Sequence, residues 1–389
     1  MPENVALPLS LYVHLPWCLS KCPYCDFNSH AWRGSLRELP EARYLDALQA
    51  DLEASLPKVR GRSVSTVFIG GGTPSLFSPD AIERLLATIR ARLRVAPGAE
   101  VTMEANPGTF EAQRFAAYAQ AGVTRLSIGV QSFSDDALRA LGRVHDARQA
   151  RAAIEEAARS FASFNIDLMY ALPGQTLQGL RDDLASALAF GPPHLSLYHL
   201  TIEPGTAFAK RPPPLPDDDL SADMLALAGD TLGAAGFERY EVSAWARPGA
   251  RCRHNLNYWE FGDYLGIGAG AHGKLTFHDR IVREARVRQP ERYVDAALAA
   301  SAIGEERIVS CDELPFEFML NALRLTEGVP AAWFSERTGQ SVAAIGRERA
   351  RAVERGLLEA DPTRIRATPL GLRFLNDLLG LFLKNDDRR

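Results

Sequence analysis

The first 205 residues alternate between short apolar runs rich in β-branched residues and longer stretches with the periodicity of amphipathic helices. The runs predict six strands, at residues 9–15, 65–69, 100–104, 125–130, 165–169 and 195–200. The intervening stretches predict helices at residues 41–56, 79–93, 110–121, 147–160 and 177–190. Such alternation is typical of a parallel sheet with crossover helices. Six strands are too few for a closed eight-stranded barrel, so we predict an α/β fold with an open, partial (β/α)6 barrel.

The second half of the chain has a different pattern, which begins after a connector at residues 203–219. Pro212, Pro213, Pro214 and Pro216, followed by three successive aspartates, predict a stiff, exposed segment there. A helix at residues 220–235 and an edge strand at 237–242 follow, and helices predominate from about residue 312. We therefore predict three domains: the barrel at 1–205, an α+β extension at 206–300 and a C-terminal winged-helix-like domain at 301–389.

Polar residues or glycines stand late in each predicted strand or directly after it. In chain order they are the cysteines within residues 18–25, Gly70, Gly71 and Gly72, Glu104, Gln131, Asp167 and His199. The carboxyl ends of parallel strands meet at one edge, where barrels of this type build their active sites. We therefore expect these residues to share one site. The glycines would let the backbone approach a ligand closely, although tight packing explains them equally well.

Three of the five cysteines, Cys18, Cys22 and Cys25, lie within eight residues in a C-x3-C-x2-C spacing. Three thiolates cannot all pair as disulfides, but they can bind three irons of a [4Fe–4S] cube. Phe27 stands two residues after Cys25, where a fourth thiolate would be expected, so one iron stays open to a small molecule. The alternative is a zinc site, which a nearby histidine would complete.

Composition narrows the class of protein. The 389-residue chain has a net charge of −4 and lacks the basic character of a nucleic-acid-binding protein. The first ten residues lack the charged and apolar regions of a signal peptide, and charges break every apolar run before the roughly 20 residues that a membrane span needs. Clustered, metal-type cysteines without a secretion signal favour a reducing, cytoplasmic location with at most peripheral membrane contact.

Residues 268–273, GAGAHG, match the G-x-G-x-x-G pattern of dinucleotide-binding sites. Such a site needs a helix after the glycines, whereas the following LTFHDRIV favours a strand. We interpret the segment as a close-packed loop near the cofactor pocket.

Five segments carry a resemblance to a known family: YVHLPWCLSKCPYC, GGGTP, MEANPG, GVQSF and IDLMYALPGQT. They resemble the radical S-adenosylmethionine (SAM) superfamily, and within it the branch around oxygen-independent coproporphyrinogen III oxidase. The resemblance implies that SAM binds the open iron and that one electron from the cluster cleaves it. It also implies SAM-site roles for Tyr12, Tyr24, Gly71, Gly72, Thr73, Glu104, Gln131, Arg143 and Asp167.

Two features distinguish the chain from the oxidases of that branch. The oxidases resemble C-x3-C-x2-C-x-C, whereas Phe27 replaces the last cysteine here, and residues 254–259 spell HNLNYW. Both features resemble the HemW family of haem chaperones. That resemblance implies haem binding, in which His254 would be the axial iron ligand, Asn255 would orient it, and Tyr258 and Trp259 would supply flat apolar surface.

The leading hypothesis is a haem chaperone that carries a [4Fe–4S] cluster and SAM and passes haem to haem-requiring acceptor proteins, respiratory ones among them. No residue is assigned a catalytic role and no dedicated oxidase activity is expected, although the SAM-site residues are retained. The rival hypotheses are a coproporphyrinogen III oxidase and another radical SAM enzyme that acts on a tetrapyrrole. A homodimer is compatible with all three, and His272 and Cys252 are rival haem ligands.

Overall fold

The computed structural model describes residues 7–383. Residues 1–6, on which the signal-peptide expectation largely rests, and residues 384–389 lie outside the described part. The strands of the main sheet, numbered β1–β12, are Leu9–Leu15, Ser63–Gly71, Arg94–Ala105, Arg125–Gln131, Ser163–Tyr170, His194–His199, Glu238–Glu241, Ala244–Ala246, Asp263–Ile267, His272–Thr276, Ile281–Arg286 and Ile303–Ile308. The helices, numbered α1–α16, are Glu41–Ser55, Pro79–Arg92, Thr109–Ala112, Phe115–Ala121, Asp135–Ala140, Ala147–Ser160, Leu177–Leu188, Ala207–Lys210, Asp218–Ala234, Arg253–Trp259, Pro290–Leu298, Leu314–Ala322, Ala332–Thr338, Gly346–Glu354, Pro369–Arg373 and Leu375–Gly380.

Six parallel strands form the predicted partial barrel. Strands β1 to β6 lie side by side in chain order, and each pairs in parallel with the next. Burial is nearly continuous along β1, as expected for a strand covered on both faces: every residue is buried except Tyr12, which is half-buried. The α/β partial barrel is therefore confirmed.

Local sequence signals set most of the helix bounds. Helix α6 has the predicted bounds because Asp146 caps it: its side chain accepts the N–H of Gln149, whose side chain in turn accepts the N–H of Asp146. The single helix predicted at 110–121 is instead two, α3 and α4. Between them, Nη1 of Arg114 donates to the carbonyl oxygens of Leu76 and Phe77, at 3.1 and 3.0 Å.

The α+β extension adds strands to both edges of the barrel sheet. Strands β7 and β8 form an antiparallel pair on β6, while β9 pairs in parallel with β1 on the other edge. Strands β10 and β11 continue that edge in antiparallel fashion, and β12, from the start of the predicted C-terminal domain, pairs with β11. The sheet thus has twelve strands in the order β12-β11-β10-β9-β1-β2-β3-β4-β5-β6-β8-β7. The edge position of β7 was predicted; the parallel strand β9 was not.

A second hydrophobic core gathers side chains from residues 309–382, with α12–α14 and α16 around it. A short antiparallel ladder pairs Val329–Pro330 with Arg364–Ile365, as in a winged-helix-like domain. Phe261 and Ile281 of the extension belong to the same core, so the two parts pack together. The domain boundaries at residues 205 and 300 stay predictions. Within the described residues, no helix is long and apolar enough to span a bilayer.

A buried charge cluster ties the extension to the barrel. The carboxylate of Asp263 accepts from Nζ of Lys274 at 2.8 Å, from Nη1 of Arg62 at 2.8 Å and from the N–H of Thr276 at 3.0 Å. The side chains of Lys274 and Asp263 are each 1% exposed. Burial alone would raise the pKa of Asp263, but Lys274 and Arg62 hold it below its ordinary value. A buried pair of this kind becomes costly when one partner is lost.

We predict that Lys274→Met lowers the free energy of unfolding by about 3 kcal/mol, because a buried carboxylate loses one of its cations. Urea unfolding followed by circular dichroism measures this change. The matched control is Arg43→Met: Arg43 pairs with Asp295, the two side chains are 64% and 70% exposed, and the loss of such a pair costs less than about 1 kcal/mol. Equal losses in both variants would contradict a stabilising role for the buried cluster.

Candidate cofactor site at the carboxyl ends of the barrel strands

A cavity of about 370 Å³ opens at the carboxyl ends of the barrel strands. Most of the residues predicted to form the site line it: Cys18, Cys22, Cys25, Tyr24, Gly71, Gly72, Thr73, Glu104, Gln131, Arg143 and Asp167. A site for a single small molecule usually encloses roughly 300–1,000 Å³. The cavity therefore has the size of a small-molecule site.

The loop that carries the cysteines is held at both ends. Residues Trp17–Cys18 pair with His30–Ala31, and the N–H of Cys25 donates to the carbonyl oxygen of Cys22 at 3.1 Å. Cys18 is buried, whereas Cys22 and Cys25 are half-buried. Burial raises the pKa of the Cys18 thiol to about 11. Cys18 therefore becomes a thiolate only when a cationic centre binds it.

This donor set fits a cluster. Among residues 7–383, no three His, Cys, Asp or Glu side chains are placed to hold one metal ion. The thiolates of a [4Fe–4S] cube each bind a separate iron, so they do not need to converge. Nη1 of Arg143 lies 3.5 Å from Sγ of Cys22, and Oγ of Ser29 lies 3.6 Å from Sγ of Cys25. Neighbouring cations and donors of this kind stabilise thiolates.

The glycine-rich segment 268–273 supports the cysteine loop from behind. Nδ2 of Asn28 donates to the carbonyl oxygens of Ala269 and Arg288, at 2.9 and 2.8 Å. A Cβ at Gly270 would lie 2.4 Å from Nδ2 of Asn28, so the close approach requires glycine. The last two residues of the segment, His272 and Gly273, begin strand β10. The segment is a close-packed loop beside the cofactor pocket, as predicted.

The glycines at the end of β2 serve packing within the protein. The N–H of Gly71 donates to Oε2 of Glu104 at 3.0 Å, and that of Gly72 donates to a carbonyl oxygen of β1 at 2.8 Å. A Cβ at Gly71, whose φ is +117°, would lie 2.6 Å from the His14 ring, and one at Gly72 would lie 2.6 Å from the carbonyl oxygen of Trp17. Of the two explanations for these glycines, the structure supports tight packing. Their contact with SAM stays a prediction.

Two carboxylates face the interior of the cavity. Enclosure, together with the negative charge of Asp167, raises the pKa of Glu104 to about 8. Burial also raises the pKa of Asp167, although Nδ2 of Asn165 and Oγ of Ser127 donate to it at 2.7 and 3.0 Å. Two enclosed carboxylates favour a ligand that carries positive charge. SAM carries an ammonium and a sulfonium group, so the cavity fits it.

Arg143 and Gln131 are held in constrained positions on the cavity wall. Nη2 of Arg143 donates to Oδ1 of Asn106 at 2.7 Å and to the carbonyl oxygen of Gly129 at 2.9 Å. Gln131 has a φ of +68°, in the left-handed region that non-glycine residues rarely adopt. It lies at an irregularity in the pairing of β4 with β5. Backbone strain of this kind is common at ligand sites.

A chain of hydrogen bonds runs from the cavity floor through the barrel interior. Nδ1 of His194 donates to Oδ1 of Asn165 at 2.6 Å, and Nε2 of His194 accepts from the hydroxyl of Tyr240 at 2.8 Å. The amide nitrogen of Asn165 already donates to Asp167, which places the ring proton of His194 on Nδ1. Burial holds the pKa of His194 well below its ordinary value, so the ring is neutral. Tyr240 lines a separate groove with Trp333 of the C-terminal domain.

Five of the predicted site residues do not line this cavity. Tyr12 lies behind Glu104, and its hydroxyl is 2.9 Å from Nδ1 of His14. The other four, His254, Asn255, Tyr258 and Trp259, lie on helix α10.

The environment of His254 does not suit an iron ligand. The side chain is fully buried; Nδ1 lies 2.8 Å from Oγ1 of Thr66 and Nε2 lies 2.8 Å from the hydroxyl of Tyr258. Burial lowers the pKa of His254 to about 3, so the ring is neutral, but both of its nitrogens are already occupied. The ring of Trp259 is covered by Arg324, whose guanidinium carbon is 4.3 Å from its centre. In this structure the element lies away from the cavity, and its role in haem binding stays a prediction.

The rival haem ligands also lie away from the cavity lining. Cys252 is buried, with Sγ 3.6 Å from Oε1 of Glu100, whereas His272 is exposed on β10.

Sequence reasoning missed much of the outer wall of the cavity, which is formed by Lys21, Asp26, Met169, Tyr198, Leu200, Thr201 and Glu203. His199 was the exception, because it is a polar residue at the end of a predicted strand. The same rule would have found Thr201 and Glu203, which follow β6 directly. Met169 and Leu200 are apolar and carry no signal that separates them from ordinary core residues.

Family comparisons agree with this geometry. The family model of the radical SAM superfamily matches residues 12–187, and that of the HemN C-terminal domain matches residues 309–374. The solved structure of coproporphyrinogen III oxidase (HemN) from Escherichia coli, described as a radical SAM enzyme, superposes with a TM-score of 0.82 at 24% identity and covers 98% of this chain and 92% of that one. This likeness establishes the fold.

Relatives of similar length match almost the whole chain. Heme chaperone HemW of Escherichia coli (strain K12) is 49% identical over 378 residues, which are 97% of this chain and 98% of that protein. Heme chaperone HemW of Mycobacterium tuberculosis (strain ATCC 25618 / H37Rv) is 40% identical over 95% of this chain and 93% of its own length. The mouse radical S-adenosyl methionine domain-containing protein 1, mitochondrial, is 36% identical over 97% and 88%. The cysteine loop and the cavity agree with these matches. The chain therefore belongs to the HemW family of the radical SAM superfamily.

Proposed function

We propose that the protein is a haem chaperone that carries a [4Fe–4S] cluster and SAM, binds haem, and transfers it to haem-requiring acceptor proteins, respiratory ones among them. The observation that carries this proposal is that Cys18, Cys22 and Cys25 line one cavity together with the buried carboxylates of Glu104 and Asp167. Relatives that span nearly the whole chain bear the name heme chaperone HemW, which supports it. Three cysteines that must stay reduced fit a cytoplasmic location.

The chain's own residues divide the work of holding the cofactors. When bound, the cluster supplies an open iron for SAM and the electron for its cleavage. Cys18, Cys22 and Cys25 would hold the cluster, and Arg143, whose Nη1 lies 3.5 Å from Sγ of Cys22, would stabilise that thiolate. Glu104 would accept from the ammonium group of SAM once its carboxyl proton, retained because its pKa is raised to about 8, has passed to solvent.

The main rival is a coproporphyrinogen III oxidase. Oxidases of this branch resemble a motif with one more cysteine, at the position that Phe27 occupies here. The side chain of Phe27 is 61% exposed at the mouth of the cavity and offers no metal ligand. The likeness to the solved oxidase, at 24% identity, establishes the fold alone.

A haem titration of the anaerobic, cluster-loaded protein tests the proposal. We expect a Soret band that saturates at one haem per chain, and release of that haem to apomyoglobin added afterwards. The absence of saturable binding, together with oxidation of coproporphyrinogen III in the presence of SAM and a reductant, would replace the chaperone with the oxidase.

For the cluster, we predict that Cys22→Ser loses most of the iron, the sulfide and the broad visible absorption that anaerobic reconstitution gives the wild type, because one iron loses its thiolate. The control is Cys311→Ser, which changes an exposed cysteine outside the cavity lining and leaves all three quantities unchanged. Iron and sulfide contents in Cys22→Ser that equal those of the wild type would refute the three-cysteine assignment.

For Glu104, we predict a pH-dependent stability. In the ligand-free protein, folded Glu104 keeps its proton until about pH 8, while an ordinary glutamate ionises near 4.5. The folded state thus binds more protons than the unfolded state between these values, and stability falls as the pH rises through this window. Glu104 contributes at most about 1.4 kcal/mol per pH unit to the slope of the free energy of unfolding against pH.

Urea unfolding at several pH values within this window measures the slope. In Glu104→Gln the side chain cannot ionise, so the substitution should flatten the profile of stability against pH. The control Glu83→Gln, at an exposed position of α2, should leave that profile unchanged. SAM should also bind the wild type more tightly as the pH rises. A Glu104→Gln profile that keeps the wild-type slope would mean that Glu104 ionises like an ordinary glutamate.

A further inference from the structure

Part of the cavity wall remains unused after the cluster and SAM are assigned. It lies at the mouth and consists of Lys21 and Phe27 on the cysteine loop, Met169 at the end of β5, and Tyr198, His199 and Leu200 at the end of β6. The predicted cluster and SAM residues lie on the neighbouring walls of the same cavity. A second ligand at the mouth would therefore sit beside SAM.

His199 differs from the other histidines of residues 7–383 because it lines this cavity. Within the described chain, neither of its ring nitrogens has a hydrogen-bond partner, and the ring packs against Tyr170 at 5.0 Å between centres. Partial burial lowers the pKa of His199 below its ordinary value, so the imidazole is neutral near pH 7. A neutral imidazole with free nitrogens is what haem iron takes as an axial ligand. His254, with both nitrogens hydrogen-bonded, lacks this property.

The side chains around His199 suit a flat apolar molecule. Phe27 is 61% exposed and Tyr198 is 42% exposed, although both are large aromatic residues. Both line the cavity, so their free faces border its interior. Met169 and Leu200 belong to a small hydrophobic cluster behind them. Exposed aromatic surface beside an apolar cluster marks a ligand site more often than chance exposure.

The mouth also offers a cation. Nζ of Lys21 donates to the carbonyl oxygens of Phe27 and Ser29, at 3.0 and 3.3 Å. In the described part of the chain this ammonium has no carboxylate partner. An anionic group on the ligand, such as a propionate, would complete its coordination.

We propose that haem binds at this mouth, with one face against Phe27 and Tyr198, its iron ligated by His199 and a propionate near Lys21. The inference rests on the proposed haem-chaperone function and names its binding site. Ligation is a lone-pair donation from the neutral imidazole to the iron, so no proton or electron moves. We expect haem and SAM to bind together, because the residues at the mouth differ from those predicted to hold SAM.

The test compares haem titrations of wild type, His199→Gln and Phe27→Ala, all as full-length, cluster-loaded protein. His199→Gln should lower haem affinity at least tenfold, about 1.4 kcal/mol, and should remove the electronic and electron paramagnetic resonance signals of an imidazole-bound haem. Imidazole added to His199→Gly should restore those signals. Phe27→Ala should weaken haem binding but keep the imidazole signals. The matched control His278→Gln, at an exposed histidine outside the cavity lining, should behave like the wild type.

The outcomes separate this inference from the function on which it rests. If the wild type binds no haem, the proposed function fails. If the wild type binds haem and folded, cluster-loaded His199→Gln keeps the same affinity and signals, the site is elsewhere and the inference is overturned, while the function stands. Loss of the imidazole signals in His254→Gln, with normal signals in His199→Gln, would overturn it in the same way. Release of SAM on addition of haem would contradict the side-by-side arrangement.

Discussion

The close approach of the first two strands at their carboxyl ends is the constraint on which the site depends. The N–H groups of Gly72 and Thr73 donate to the carbonyl oxygens of Leu15 and Trp17, each at 2.8 Å, and thereby continue the ladder into the cysteine loop. Side chains at Gly71 and Gly72 would collide with the neighbouring chain. Because these positions are glycines, the loop leaves β1 in a fixed direction, and Cys18 lies beside Thr73. The same strand end anchors Glu104 through the N–H of Gly71.

Local sequence patterns were sufficient to predict part of this architecture, namely the barrel strands and the position of the cavity. The six barrel strands follow from short apolar runs, and the cavity follows from one polar residue or glycine at each strand end, since parallel strands bring those ends together. What could not be predicted depends on contacts between distant segments. Strand β9 pairs with β1 across more than two hundred residues, and Asn28 meets Ala269 through a hydrogen bond that no local pattern indicates.

The HNLNYW element shows how one motif supports two interpretations. Residues 254 and 258 are four apart on helix α10, so their side chains share one face. The hydroxyl of Tyr258 therefore reaches Nε2 of His254, and Thr66 occupies Nδ1. The sequence spacing is compatible with a ligand site. It is equally compatible with a group of buried polar side chains whose hydrogen-bond partners all lie within the protein. Only the packing against β2 distinguishes these interpretations, because the motif does not indicate that Thr66 is a hydrogen-bond partner of His254.

The hydrogen-bond chain beneath Asp167 has a consequence for how the sequence can drift during evolution. It ends at Tyr240, whose backbone carbonyl accepts the N–H of Thr326, at 3.1 Å, in the C-terminal region. Nη2 of Arg324, in the same turn, donates to Oε2 of Glu241, also at 3.1 Å. A substitution that shifts this turn would also shift Tyr240, and the orientations of His194 and Asn165 would then change. Selection on the cofactor-facing carboxylate therefore extends to residues that never touch a cofactor, and it keeps the two cores of the molecule from diverging independently.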